Sequence, residues 1–256
     1  MKTRLKDLFF KVWYWYVSNI DKNAEVRFMN FGYADDDLKL EFNAEDEPNR
    51  YSIQLYHHLA AEVDLKGKSL LEVGSGRGGG LSYIAKTFQL KTALGVDLNE
   101  RAAKFCNSFY KIDGLTFQQG NAQELTMKDE SFDVVLNVES SHRYPDFNAF
   151  LGEVSRILKP GGHFLFTDFR YDWEMPELKA DLDKLGFEKV FEKTITPNVV
   201  KSLALDDERR KVLIRKLAPK VLHPIALNFA GTVGSETYDW FSIGKYEYFS
   251  YVLKKK

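Results

Sequence analysis

Cysteine is almost missing from this 256-residue chain. Cys106 stands alone, so no disulfide can close within the chain, which suits a reducing compartment. Net charge is missing too: 36 Lys and Arg against 37 Asp and Glu leave −1, and no overall field draws in nucleic acid or an anionic surface. There is no Cys pair, no H-E-x-x-H and no His/carboxylate cluster at ligand spacing, so no metal is expected. The acidic stretch Asp35–Asp37 lacks the alternating ligands and glycine of a calcium loop. Gly74-Ser75-Gly76 does not supply the G-x-S-x-G frame of a serine nucleophile elbow. Internal repeats and low-complexity tracts are absent. Long apolar runs are absent as well: Leu8–Ile20 is rich in Phe, Trp and Tyr but is interrupted by Lys11 and too short to span a bilayer. No small-residue cleavage site follows it, so it does not read as a signal peptide. Leu5, Phe9, Val12, Trp13 and Tyr16 share one side at helical spacing. Two readings stand for that helix: a cap packed on the domain, or a helix lying in a membrane interface.

What is present is concentrated in Ser69–Gly80, SLLEVGSGRGGG. Leu70, Leu71 and Val73 form a short apolar run that ends in glycines and passes into an amphipathic segment, which predicts a buried strand, a tight turn and a helix start. A second apolar strand, Thr92–Val96, ends in Asp97, an acid about twenty residues on, where open α/β folds hold a ribose by its hydroxyls. The pattern predicts an adenosine-containing ligand. Gly74-x-Gly76-x-x-Gly79 also satisfies the dinucleotide fingerprint. Glu72 argues against that ligand, since a carboxylate is poorly placed beside a pyrophosphate and well placed for a cationic amino group.

Glu72 to Gly78, E-x-G-x-G-x-G, resembles the first motif of the Rossmann-like S-adenosylmethionine-dependent methyltransferases. The resemblance continues in order through Gly120-Asn121-Ala122-Gln123-Glu124-Leu125 after a strand Leu115–Gln119, then Phe132–Asn137, then Leu158–Gly162 and the strand His163–Asp168. It implies S-adenosylmethionine as cofactor, held by Glu72, Gly74, Ser75, Gly76, Gly78, Asp97, Leu98, Asn121, Ala122 and Asn137. The adenine turn usually reads Gly-Asp-Ala; here Asn121 replaces the acid, and its amide oxygen can still accept from an adenine amine.

Methyl transfer to an alcohol requires alignment of donor and acceptor and removal of a proton. In this fold the loop after the fourth strand faces the transferring methyl, and here it reads Asn137-Val138-Glu139-Ser140-Ser141-His142-Arg143-Tyr144-Pro145. His142 is the candidate general base, against a purely structural role. Glu139 supports His142, contacts the donor's methionine portion, or caps the next helix. Asp168, ending the fifth strand, orients His142 or an acceptor hydroxyl, or else serves as a helix N-cap. His57 and His58 lie on a helix before the glycine turn and read as solvent-facing or packed; His223 precedes Pro224 as an outside candidate.

The fold class expected is α/β: a Rossmann-like, seven-stranded, mostly parallel sheet with an antiparallel last strand. Residues 1–66 are expected to form an N-terminal helical cap with a helix from about Asn49 to Val63, residues 67–196 the cofactor-binding core, 197–240 a helical lid broken at Pro219 and Pro224, and 241–256 the last strand. A dimerisation arm is the other reading of the insertion. Phe31-Gly32-Tyr33, Asp46–Arg50, Arg77–Tyr83 and Asn137–His142 together resemble the actinobacterial phthiotriol/phenolphthiotriol dimycocerosate and fatty-acid O-methyltransferases. The resemblance implies transfer of a methyl group to a hydroxyl of a hydrophobic lipid or polyketide-like molecule. Sterol-type C-methylation, cofactor binding without transfer and a nicotinamide reductase are the other readings. The partners expected are a hydrophobic hydroxylated small molecule and no nucleic acid. Peripheral membrane contact is assigned to the N-terminal helix, the location to the cytoplasm or a membrane periphery, and the assembly to a monomer or homodimer.

Overall fold

A computed structural model describes residues 24–256. The aromatic segment Leu8–Ile20 therefore lies outside the described residues. Seven strands form one sheet in the order β3-β2-β1-β4-β5-β7-β6. They are β1 (Ser69–Val73), β2 (Thr92–Asp97), β3 (Leu115–Gln119), β4 (Phe132–Val138), β5 (Leu158–Tyr171), β6 (Glu188–Thr194) and β7 (Tyr246–Lys254). β7 runs antiparallel to both of its neighbours, while the pairs from β3 across to β5 are parallel.

The central strands are apolar along their length because helices cover both faces. Leu70 packs into one core and Leu71 into the other, as the period of two requires. The first face is covered by α1 (Arg50–Ala60), α2 (Gly79–Thr87) and α3 (Glu100–Phe109), through Leu55, Leu59, Leu81, Ile84 and Cys106. The second is covered by α4 (Phe147–Ile157) and α5 (Met175–Lys184), through Phe150, Val154, Leu178 and Leu182. The strand order reverses between β1 and β4, and that switch point opens a crevice at the carboxyl ends of the strands.

Between β6 and β7 the chain inserts α6 (Thr196–Leu205), α7 (Asp207–Leu217), α8 (His223–Phe229) and α9 (Glu236–Ser242). The insertion grips residues 30–34. Ser202 Oγ donates to Phe31 O at 3.0 Å, Arg210 donates to Asn30 O and Phe31 O at 3.3 and 3.0 Å, and Asn198 Nδ2 donates to Ala34 O at 3.0 Å.

Several boundaries differ from expectation. The helix expected to reach Val63 ends at Ala60, and a 3-10 turn, Glu47–Asn49, holds Pro48 ahead of it. Before that turn, residues 24–46 contain no helix or strand, so α1 is the helix of the N-terminal part among the described residues. Pro224 does not break a helix; it sits in the first turn of α8, where its missing N–H costs nothing. β5 does not run from His163 to Asp168 but from Leu158 to Tyr171, paired with β7 from His163 to Tyr171.

Candidate active site

The crevice starts at Glu72, fully buried in β1. Tyr56 Oη donates to Glu72 Oε1 at 2.8 Å, while Oε2 is buried with no partner. Burial pushes the carboxyl up to about 8, against the Tyr56 hydrogen bond and with help from the nearby Asp97 charge. Tyr56 reaches this carboxyl because Gly80 has no side chain: a Cβ there would lie 1.9 Å from the tyrosine ring.

The turn after β1 is built from backbone that L-residues avoid, with Gly74 at φ +78° and Gly78 at φ +75°. At both positions the space beside the glycine is taken by the protein itself. A Cβ on Gly74 would meet Ser140 Oγ at 2.3 Å, and one on Gly78 would meet the Phe117 ring at 2.8 Å. Gly74 N and Ser75 N both donate to Val96 O, which docks the turn on the end of β2. Gly76 N donates to Asp97 Oδ2 at 2.9 Å, and Asn99 N to Oδ1 at 2.8 Å. These two hydrogen bonds fix the Asp97 carboxylate at the end of β2.

Leu98 follows, 67% exposed, an apolar surface at the rim of the crevice. The next turn is tied to it: Gly120 N donates to Asp97 O and Gln119 Nε2 to Leu98 O. Asn121 Oδ1 accepts from Gln123 N at 3.1 Å, so it shapes its own turn and retains one lone pair. Ala122 packs on the second core.

Asn137, at the end of β4, is fully buried. Its Nδ2 faces Val73 O at 2.9 Å, Ser140 Oγ at 2.8 Å and Tyr144 Oη at 3.1 Å. Val73 O can only accept, so the amide cannot turn over, and Asn137 Oδ1 is left buried without a partner. Two orphaned acceptors, Glu72 Oε2 and Asn137 Oδ1, thus lie at the ends of two adjacent strands. Such acceptors suit a ligand with N–H donors and positive charge, and repel a pyrophosphate.

Beyond Asn137 the chain turns through Glu139 at φ +46°, a left-handed conformation costing a non-glycine residue about 1 kcal/mol. Its carboxyl accepts from Phe31 N at 2.6 Å and from Tyr248 Oη. Burial pushes the group up to about 8, although both hydrogen bonds oppose the shift. Of the three roles considered for Glu139, two are not seen: it does not reach His142 and it caps no helix.

His142 and Asp168 are brought together. Asp168 Oδ1 lies 2.7 Å from His142 Nδ1, and Oδ2 accepts the His142 backbone N–H at 3.0 Å. The same carboxyl accepts from Ser141 Oγ at 2.7 Å and Phe169 N at 2.8 Å, and pairs with Arg170 at 3.2 Å. Burial alone would raise Asp168, but the His142 ring, the Arg170 charge and the Ser141 hydroxyl hold it well below the carboxylate range. Asp168 is thus ionised, which makes Nδ1 the protonated ring nitrogen and leaves a lone pair on Nε2. That Nε2 is buried with no partner, beside the Phe169 ring, whose centroid is 4.5 Å from that of the imidazole. Burial lowers the His142 ring from its ordinary 6.5; Asp168 opposes this, and Arg143 and Arg170 reinforce it. Asp168 is no helix cap.

The other histidines lie elsewhere. His57 Nδ1 is 2.8 Å from Tyr83 Oη, His58 stacks on Tyr33, and His223 Nε2 meets Ala218 O. Sequence reasoning missed Tyr56, Tyr144, Arg170 and Tyr248, because nothing local marks a tyrosine or arginine that reaches its partner through the fold. Among the described residues there is no group of three or more His, Cys, Asp and Glu able to hold a metal ion. No helix among them is long and apolar enough to cross a membrane.

A reversed α/β sheet with a glycine turn, an acid at the end of β2 and orphaned acceptors at the strand ends defines an enzyme of the Rossmann-like class that binds a cationic nucleoside ligand. Comparison with known proteins gives the family. Residues 71–166 match the family described as methyltransferase domain. A fatty-acid O-methyltransferase of Mycolicibacterium smegmatis is 43% identical over 213 residues, 83% of this chain and 78% of the relative. A phthiotriol/phenolphthiotriol dimycocerosates methyltransferase of Mycobacterium tuberculosis is 39% identical over 251 residues, 96% of this chain and 92% of the relative. Among solved structures, geranyl diphosphate C-methyltransferase from Streptomyces coelicolor A3(2), in complex with S-adenosyl-L-homocysteine, superposes with a TM-score of 0.67 at 17% identity, over 94% of this chain and 98% of that one. At that identity the likeness is one of fold. The chain belongs to the S-adenosylmethionine-dependent methyltransferases, in the family of these two relatives.

Proposed function

We propose that the enzyme methylates a hydroxyl group of a hydrophobic, lipid-like molecule, with His142 as general base. One observation carries the reading: a buried imidazole whose Nδ1 is held by an ionised carboxylate, and whose Nε2 has no protein partner. Such a nitrogen is a proton acceptor waiting for an O–H donor. Asp168 orients the ring and stabilises the charge that forms on it. When bound, S-adenosylmethionine supplies a methyl group on a cationic sulfur. Glu72 and Asn137 take its polar end through their free oxygens, Asp97 the ribose hydroxyls, and Leu98, Asn121 and Ala122 the adenine, while the turn Gly74–Gly78, with Ser75, provides the backbone cradle.

The apolar nature of the acceptor is supported by the walls near His142 and by the relatives. Phe31, Phe169, Phe241, Tyr246 and Tyr248 form a continuous aromatic cluster between β5, β7 and the inserted helices. The relatives are named for a fatty acid and for phthiotriol compounds. The insertion at about 197–240 acts as a lid on the acceptor, with residues 67–196 and 241–256 as the catalytic core and the N-terminal part as a cap.

Incubation with methyl-deuterated cofactor and a lipid extract, followed by mass spectrometry before treatment, after alkaline hydrolysis and after ether cleavage, tests the reading. The label is expected in an alkali-stable methyl ether whose formation His142→Ala abolishes. Label in an alkali-labile ester would mean a carboxylate acceptor; label surviving ether cleavage would mean C-methylation. Either result overturns the proposal.

A further inference from the structure

Asp168 has two neighbours of opposite consequence. On one side His142 Nδ1 approaches at 2.7 Å. On the other, Arg170 Nη1 lies 3.2 Å from Oδ2, and Arg170 Nη2 donates at 2.7 Å to Ser141 Oγ, whose hydroxyl in turn donates to Oδ2 at 2.7 Å. The guanidinium side chain is only 11% exposed and is fixed further by Phe169 O at 2.7 Å and by the Phe147 ring beneath it. It is a rigid cation inserted behind the carboxylate.

A buried carboxylate facing an imidazole alone would draw a proton onto the ring and hold an ion pair, because opposite charges in a low-dielectric site favour one another. An imidazolium has no lone pair and cannot accept the acceptor's proton. A guanidinium on the far side already neutralises the carboxylate, so the ring can stay uncharged while still donating through Nδ1. We infer that Arg170, acting through Asp168 and Ser141, is the positioning residue that keeps His142 neutral and protonated on Nδ1, ready to receive a proton at Nε2. This rests on the reading of His142 as the base.

The surrounding charges agree in sign. Facing the ring are Asp168, Phe169 and Arg170 from β5, and Arg143 from the ring's own turn. The Asp168 charge is also felt by Glu139, just after β4, and by Tyr248 of β7, raising both. Glu139 is pushed up to about 8 and so is mostly uncharged at neutral pH. Asp168 is then opposed at the ring by Arg143 first and Arg170 second, and Arg170 also pairs directly with Asp168 at 3.2 Å.

The test is the pH profile of turnover for wild type, Arg170→Gln, Arg170→Lys and His142→Ala, at saturating cofactor and acceptor. In Arg170→Gln the acid limb is expected to move up by about 1 pH unit, with a loss near tenfold on that limb that recovers at high pH. Arg170→Lys, which keeps the charge, is expected to retain the wild-type limb even if its turnover falls. An Arg170→Gln profile lowered by one factor at every pH, with the limb unmoved, overturns the inference. Should Arg170→Gln fail to fold, nitrogen-15 NMR of the wild-type His142 ring decides, its signals assigned by their loss in His142→Asn. A neutral ring protonated on Nδ1 at pH 7 supports the inference; a ring protonated on Nε2, or one titrating above 6.5, overturns it. His142→Ala keeps the two readings apart: activity retained there removes the base itself, whereas activity lost there with an unmoved Arg170→Gln limb removes only the role of Arg170.

Discussion

Asp168 holds His142 twice, accepting its ring Nδ1–H at 2.7 Å and its backbone N–H at 3.0 Å. The two bonds fix different things. The backbone bond sets where the Ser141–Arg143 turn sits, and the ring bond sets which nitrogen carries the proton. Asp168→Asn should separate them, since an amide can still accept from the backbone but can present N–H to the ring and favour the wrong tautomer. Turnover is expected to fall about 10²–10⁴-fold, with cofactor affinity by calorimetry nearly unchanged. An Asp168→Asn enzyme with wild-type turnover would remove the pair from the mechanism.

The pH dependence follows from the burial of the ring. His142 is lowered from 6.5, so wild-type activity should rise with pH through a limb below that value. The linkage has the same sign. Between the lowered folded value and 6.5 the unfolded chain binds more protons than the folded one, so the stability due to this ring is complete above 6.5 and is lost as pH falls. His142→Asn should flatten that part of the stability–pH curve, read by denaturant unfolding from pH 5 to 7.

With Glu72 proposed to take the cofactor's amino group, cofactor binding is predicted to release a proton. The Glu72 carboxyl is pushed up to about 8 and is mostly protonated at pH 7, whereas an ammonium group placed on Oε2 favours the carboxylate. Calorimetry in buffers of differing ionisation enthalpy should detect release approaching about one proton per cofactor. Glu72→Gln should abolish it and weaken binding. An identical proton count in wild type and Glu72→Gln would remove Glu72 from the ammonium site.

Gly80 is predicted to be intolerant of any side chain. A Cβ would lie 1.9–2.0 Å from atoms of the Tyr56 ring, in a helix where alanine would otherwise be favourable. Gly80→Ala should cost about 1–3 kcal/mol by overpacking and detach Tyr56 from Glu72. Adding Tyr56→Ala should restore part of the stability in thermal unfolding, because the clash then has no second partner. A Gly80→Ala protein as stable as wild type would show that the ring can move aside.

Glu139 should matter for stability rather than for proton transfer. Its value near 8 means that between 4.5 and 8 the folded state binds more protons than the unfolded, so its contribution is full below 4.5 and is lost as pH rises through 8. Glu139→Gln keeps an oxygen for Phe31 N and Tyr248 Oη, and should be close to neutral at pH 7 while removing the slope. Glu139→Ala leaves Phe31 N without its acceptor and should cost about 1–3 kcal/mol in urea unfolding. A Glu139→Ala protein of wild-type stability would contradict this.

The sequence alone determined the elements and the glycine turn because those are short-range facts. Leu70, Leu71 and Val73 read as a strand buried on both faces, and both cores use them. The turn at Gly74–Gly78 and the acid at Asp97 are set by backbone sterics and by spacing along a β-α-β unit, which needs no distant contact. Position in the loop after β4 pointed to His142, and an expected strand end, which the structure moves on to Tyr171, pointed to Asp168. The partners of the acids were decided by tertiary structure. Tyr56 meets Glu72 across a 16-residue separation, at a place opened by Gly80. Tyr248 meets Glu139 across 109 residues, because the antiparallel pairing of β7 with β5 brings the last strand back beside the crevice. Arg170 reaches Asp168 from the same face of β5, the period of two placing their side chains together once the strand runs on past Asp168. Charge state in a buried site depends on what lies within a few ångströms, and for these acids that neighbourhood exists only after the chain has folded.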